Sequence, residues 1–150
     1  MNDPDSARDA VERLTDAIFD SDVVAVKAAI TAGADVSALL IRFPETPLEL
    51  ATRWHANPEV VEALLSAGAA VPPEALESLG ADDVTDWMID SEEDEQRFSR
   101  VAELLLLRGA DPNVCARNGE PLIMHFSADR YPRIHRVLAH ALQKSSNRNA

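Results

Sequence analysis

Carboxylates are the residue type that this chain concentrates. Eight of them (Asp82, Asp83, Asp86, Asp90, Glu92, Glu93, Asp94 and Glu95) fall within fourteen residues, interleaved with Trp87, Met88 and Ile89 and with no positive charge. Two chemistries suit such a run. One is coordination of a hard cation such as calcium, but an EF-hand loop needs alternating oxygen ligands, a turn glycine and a closing glutamate, and no glycine occurs between Gly80 and Gly109. The other is docking of a basic protein: carboxylates steer a cationic surface and rim the contact, while Trp87, Met88 and Ile89 serve as apolar anchors. A plain structural reading stands beside these, in which Trp87 tucks the segment against its neighbours and the acids form a solvated loop.

The other reactive side chains do not converge. His135 and His140 are five residues apart, which places them on different faces of a helix, and His55 and His125 fall at or beyond the ends of predicted helices. Cys115 is the single cysteine, has no histidine base tied to it, and reads as a structural thiol. Neither a glycine-rich phosphate loop nor a Gly-x-Ser-x-Gly elbow occurs. The expectation is a protein without catalysis, metal or cofactor.

The scaffold that must position these groups is written in a repeated phrase. Ala32-Gly33-Ala34-Asp35, Ala67-Gly68-Ala69-Ala70 and Arg108-Gly109-Ala110-Asp111 each end an apolar helical run. Between the first two copies, Thr46 caps a predicted helix that Pro47 opens without losing a needed hydrogen bond, and Leu48 and Ala51 turn inward. That helix ends near Ala56-Asn57-Pro58, and Pro58-Glu59-Val60-Val61 opens a second. In the second helix Val60 or Val61, Leu64 and Leu65 form one buried stripe, and Gly68 supplies the left-handed residue after its last turn. Two antiparallel helices then pack as a pair.

At this point the residues resemble the ankyrin-repeat family. Thr46-Pro47-Leu48, Asn57-Pro58-Glu59-Val60-Val61 and Leu64-Leu65-Ser66-Ala67-Gly68-Ala69 follow one another as in an ankyrin unit, with Glu49 where the family's Thr-Pro-Leu-His phrase has histidine. The resemblance spans about residues 12–142 and implies an all-α solenoid of about four helix-turn-helix units with short hairpin fingers. The units fall at about 12–37, 38–71, 72–113 and 114–142, with 143–150 as a flexible tail. Leu14, Ala17 and Ile18, then Val26, Ala29 and Ile30, fit an amino-terminal cap, and Asn118-Gly119 fits the tip of the last finger. Ile134, Val137, Leu138 and Leu142, interleaved with charged residues, fit a terminal repeat. The third unit departs from the pattern: Pro73 follows Gly68 by only five residues, so a finger is shortened, and an insertion is expected over 80–96.

Composition narrows the class of partner. The chain has 150 residues, 26 acidic and 14 basic side chains and a formal charge of -12, which disfavours nucleic-acid phosphates and anionic membranes. The charge is segregated: residues 74–95 carry ten acids and no base, whereas 96–150 carry nine bases and four acids. One cysteine, an acidic amino terminus and no apolar run of membrane-spanning length lead to the expectation of a cytoplasmic protein.

The resemblance places partners on the fingers and on the exposed side of each first helix. Carried over to this chain, that surface holds Arg42 and Phe43 in one finger, Arg53 and Trp54 at the end of the helix after it, and Arg117 and Asn118 in the last finger. Asp86, Trp87, Glu92, Glu93, Asp94 and Glu95 join them as candidate contacts from the insertion. The resulting expectation is a protein-binding module that takes one protein partner, basic in character, and works as a monomer or weak homo-oligomer. Alanine content, small size and acidity look like stand-alone bacterial ankyrin proteins, and a sharper form of the expectation is an immunity or antitoxin-like protein that blocks a basic toxin. The alternative is a self-assembling regulatory or scaffold domain of an enzyme complex, which pairs its acidic segment with the basic carboxy-terminal unit of another copy.

Overall fold

The computed structural model describes residues 4–40, 42, 44–54, 56–80, 89–116 and 118–148. Among them the chain is all-helical, with seven α-helices, one 3-10 helix and no strand longer than a single bridge. It divides into two compact units, Met1–Ala70 and Val71–Ala150. No helix is long and apolar enough to cross a membrane among the described residues.

The first unit contains α1 (Pro4–Phe19), α2 (Val23–Thr31), α3 (Pro47–Arg53) and α4 (Pro58–Ser66). Each start after α1 has its own cap. The Asp22 carboxylate accepts from Ala25 N, Asn57 accepts from Glu59 N, and Thr46 exchanges reciprocal bonds with Glu49, its backbone N donating to Glu49 Oε2 at 2.9 Å. α1 packs on α2 and α3 on α4, while α1 also meets α3 and α2 meets α4. First helices thus stack on first helices and second on second. Leu14, Ile18, Leu48, Leu50 and Leu64 are fully buried along these contacts. The buried hydroxyls of Thr15 and Thr52 each donate to the carbonyl four residues back, at 2.8 Å.

The recurring phrase has a physical meaning at each letter. Gly33, Gly68 and Gly109 have φ of 99°, 96° and 97°, the left-handed conformation that reverses the chain after a helix. In all three copies the glycine N donates to a carbonyl three residues back and the next alanine N to one five residues back. Those alanines, Ala34, Ala69 and Ala110, are buried. The aspartate then opens a finger: Asp35 Oδ1 accepts from Ser37 N and Asp111 Oδ1 from Asn113 N, both at 2.9 Å. The middle copy has Ala70 in that position, which offers no side-chain acceptor for such a turn.

In the second unit a 3-10 helix, η1 (Ala75–Gly80), precedes α5 (Glu92–Leu107), α6 (Leu122–His125) and α7 (Pro132–Arg148). η1 packs on α5 and α6, and α7 packs on α5 and α6, so the stacking order of the first unit recurs. Both first-position helices are short here, and both second-position helices are long. Phe98, Phe126, Leu76, Leu79, Leu105, Leu122 and Ile134 fill the core, with Phe126 edge-on to Tyr131 at 5.4 Å between ring centres. The last finger closes through Ala116 N to Glu120 O at 2.7 Å and Leu122 N to Val114 O at 3.0 Å, with Gly119 at φ 87°.

Two boundaries differ from the sequence reading. Glu92–Gln96, expected inside an insertion over 80–96, are the opening of α5, because Ser91 and Asp94 form a reciprocal cap there. Residues 143–148, expected as tail, continue α7 through Arg148. Residues 81–88 of the expected insertion lie outside the described residues.

Candidate functional site

The candidate contacts fall into three groups. In the first unit, the end of α1, the finger that leads into α3 and the end of α3 converge. Arg42 pairs with Asp16 of α1 on an exposed surface. Arg53 pairs with Glu45 at 2.8 Å, and both side chains are largely buried, at 22% and 18% exposure. The Arg53 guanidinium also lies over the Trp54 ring, 5.7 Å from its centre, and Trp54 packs against Phe19 at 5.6 Å. Trp54 Nε1 and Arg53 Nε are buried without a hydrogen-bond partner among the described residues. Arg53 and Trp54 therefore rivet the finger and α3 to α1, and Arg42 is the member of this group that reaches solvent.

The second group is the acidic start of α5, where three of four carboxylates work inside the fold. Asp94 accepts from Ser91 N and Oγ and pairs with Arg97. The Ser91 hydroxyl, foremost, holds its carboxyl below the usual aspartate range; Arg97 and the Asp90 backbone add to this, and burial opposes them. Glu92 pairs with Arg133 of α7. Glu95 is buried at 6% exposure, and its Oε1 accepts from Arg133 N at 2.6 Å and Ile134 N at 3.3 Å. Those two amides belong to the first turn of α7, which follows Tyr131, a residue unable to cap it. Glu95 supplies the missing cap from 38 residues away. Glu93 is exposed, with no polar partner among the described residues. Ile89, proposed as an anchor, is buried at 8% exposure.

The third group is the tip of the last finger. Asn118 is exposed; its amide donates to Glu120 Oε2 at 3.2 Å and its carbonyl oxygen accepts from Glu120 N at 3.0 Å. Phe43, Asp86, Trp87 and Arg117 lie outside the described residues. Arg42, Glu92, Glu93 and Asn118 are thus the candidates whose side chains are exposed, Arg42 and Glu92 within ion pairs.

Neither Glu95 nor the Arg53–Glu45 pair was legible as structural from residue type alone. The Ser91-x-x-Asp94 spacing, a capping-box signature ahead of an apolar run, was the signal that α5 begins at Glu92. Among the described residues no group of three or more His, Cys, Asp or Glu is placed to hold a metal ion, and Cys115 is exposed. His135 Nδ1 lies 2.9 Å from Phe126 O, a contact within the core of the second unit. No protein-family model matches the chain, and no curated protein matches it at significant similarity.

Proposed function

We propose that the chain is an ankyrin-type protein-binding module that presents a rigid surface to one protein partner and performs no chemistry. The observation that carries this reading is the threefold glycine exit with identical hydrogen bonding, joined to first-on-first and second-on-second stacking within each unit. A stack of helix pairs buries its core by repetition and leaves its fingers and first helices for recognition. Arg42 and Asn118 are the exposed finger contacts in this reading, and Glu92 and Glu93 are the exposed carboxylates that share their role. A basic partner is favoured by the net charge of -12. Inhibition of a basic toxin, as an immunity protein, is the sharper form.

Affinity capture from the native lysate with the whole chain, compared with Arg42→Ala, Glu93→Ser and Asn118→Ala, tests the reading. The expected result is one dominant protein lost from at least one variant while the helical circular dichroism is unchanged. A capture profile identical for all four proteins overturns it. Charge segregation, with nine bases after residue 95, favours self-assembly as a second reading. Salt-sensitive growth of particle size in light scattering supports that reading, and a monomer at low salt and high concentration overturns it.

A further inference from the structure

Within the second unit an open groove of about 920 Å³ runs between the carboxy-terminal halves of α5 and α7. Leu106, Val137 and Ala141 line it, together with Leu107, which is 78% exposed. Along the α7 wall stand Arg136, His140, Lys144 and Arg148, one every four residues and all exposed. Twelve residues of helix separate the first from the last, about 18 Å at the ordinary rise. None of the four has an ion-pair partner among the described residues, in a chain where acids outnumber bases 26 to 14. The two carboxylates that also line the groove are engaged elsewhere: Glu103 bonds Arg100 at 3.1 Å, and Asp111 accepts from Asn113.

We infer that this groove docks an acidic amphipathic helix of a partner protein, with apolar side chains on Leu106, Leu107, Val137 and Ala141 and carboxylates on the Arg136–Arg148 row. The length admits about three helical turns. The cations Arg136, Lys144 and Arg148, eight and four residues apart, match carboxylates at the same spacings on a neighbouring helix, with His140 as a further polar contact between them. A compact anion would leave the apolar lining bare. Nucleic acid would meet that lining and the net negative charge of the whole chain. A second copy offers the acidic exposed side of α1, but among its described exposed positions that side carries only Ala7 as an apolar group. None of the groove's lining residues is among the contacts Arg42, Glu92, Glu93 and Asn118 assigned above, so either reading can fail alone.

The test uses the full chain and a fluorescein-labelled, end-blocked fifteen-residue peptide with leucines at helical spacing along one face and glutamates beside them. Fluorescence anisotropy at low salt is expected to give a Kd in the tens of micromolar, weakened about tenfold by Arg136→Ser/Lys144→Ser/Arg148→Ser and by Leu107→Asp. These positions are exposed, and an unchanged melting temperature verifies that the variants fold. Peptides with leucine replaced by serine, or glutamate by lysine, are expected not to bind. Equal binding by the serine peptide reduces the groove to charge alone and overturns the inference, as does undiminished binding by the triple variant. Self-association abolished by the triple variant, with no peptide binding, assigns the groove to a second copy and overturns it as well.

Discussion

Two helix starts in this molecule solve the same problem at different range. α3 is capped by Thr46 and Glu49, whose reciprocal bonds close within three residues. α7 follows Tyr131 and borrows the Glu95 carboxylate from α5. The first unit builds its helix ends locally and relies on packing to bring pairs together. In the second unit a shared polar contact makes the end of one helix depend on the presence of another. The cost of leaving first-turn amides unpaired in a partly buried site is the common cause.

The contrast can be broken most sharply at Glu95. Glu95→Ala removes a buried charged acceptor from two amides, and urea unfolding is expected to show a loss of about 2–3 kcal/mol. Glu95→Gln keeps the acceptor and is expected to restore more than half of that. Gly109→Ala forces a β-carbon into the left-handed region where no neighbouring atom obstructs it, so the expected loss of about 1–2 kcal/mol is purely conformational. Gly68→Ala is expected to match it, since both exits share one geometry. Thr46→Ala removes a local cap and is expected to cost about 1 kcal/mol, measured in the same way. If Thr46→Ala costs more than Glu95→Ala, the distinction between local and long-range capping is wrong.

The smallest effect is in the pH dependence. The Asp94 carboxyl is held below its ordinary range by Ser91 first, so its stabilising contribution is fully present at neutral pH and is lost as pH falls below about 4. The difference in urea midpoint between the natural chain and Asp94→Asn is therefore expected to be larger at pH 6 than at pH 3. A difference independent of pH removes the charge from the account of the α5 cap.

How far the residues could be read without coordinates follows the same division. Thr46-Pro47, Asn57-Pro58 and the glycine exits were legible because each depends on partners within about five residues. The buried stripe of Val60, Val61, Leu64 and Leu65 was legible for the same reason, through helical period. Glu95 was not, because its partners are 38 and 39 residues away and a run of eight carboxylates looks like solvated loop. Trp54, expected on the contact surface, is half-buried against Phe19 at the end of α1, a neighbour 35 residues away that its own sequence context does not reveal. The meaning of Ala70 emerged only by comparison of the three exits. Where Asp35 and Asp111 open fingers, Ala70 has no acceptor, and its own N donates to Ser37 Oγ at 3.3 Å instead.

The Glu95 contact also bears on the order of events in folding. Stacked helix pairs ordinarily fray from their ends, because a terminal pair touches one neighbour only. Here the first turn of α7 has its acceptor only once α5 is docked, and α5 in turn gains the Glu92–Arg133 pair from α7. Peeling off the last helix therefore exposes a buried carboxylate and two amides together. The carboxy-terminal pair is expected to open as one unit, with the amides of Arg133 and Ile134 exchanging hydrogen at the rate of the α5 core.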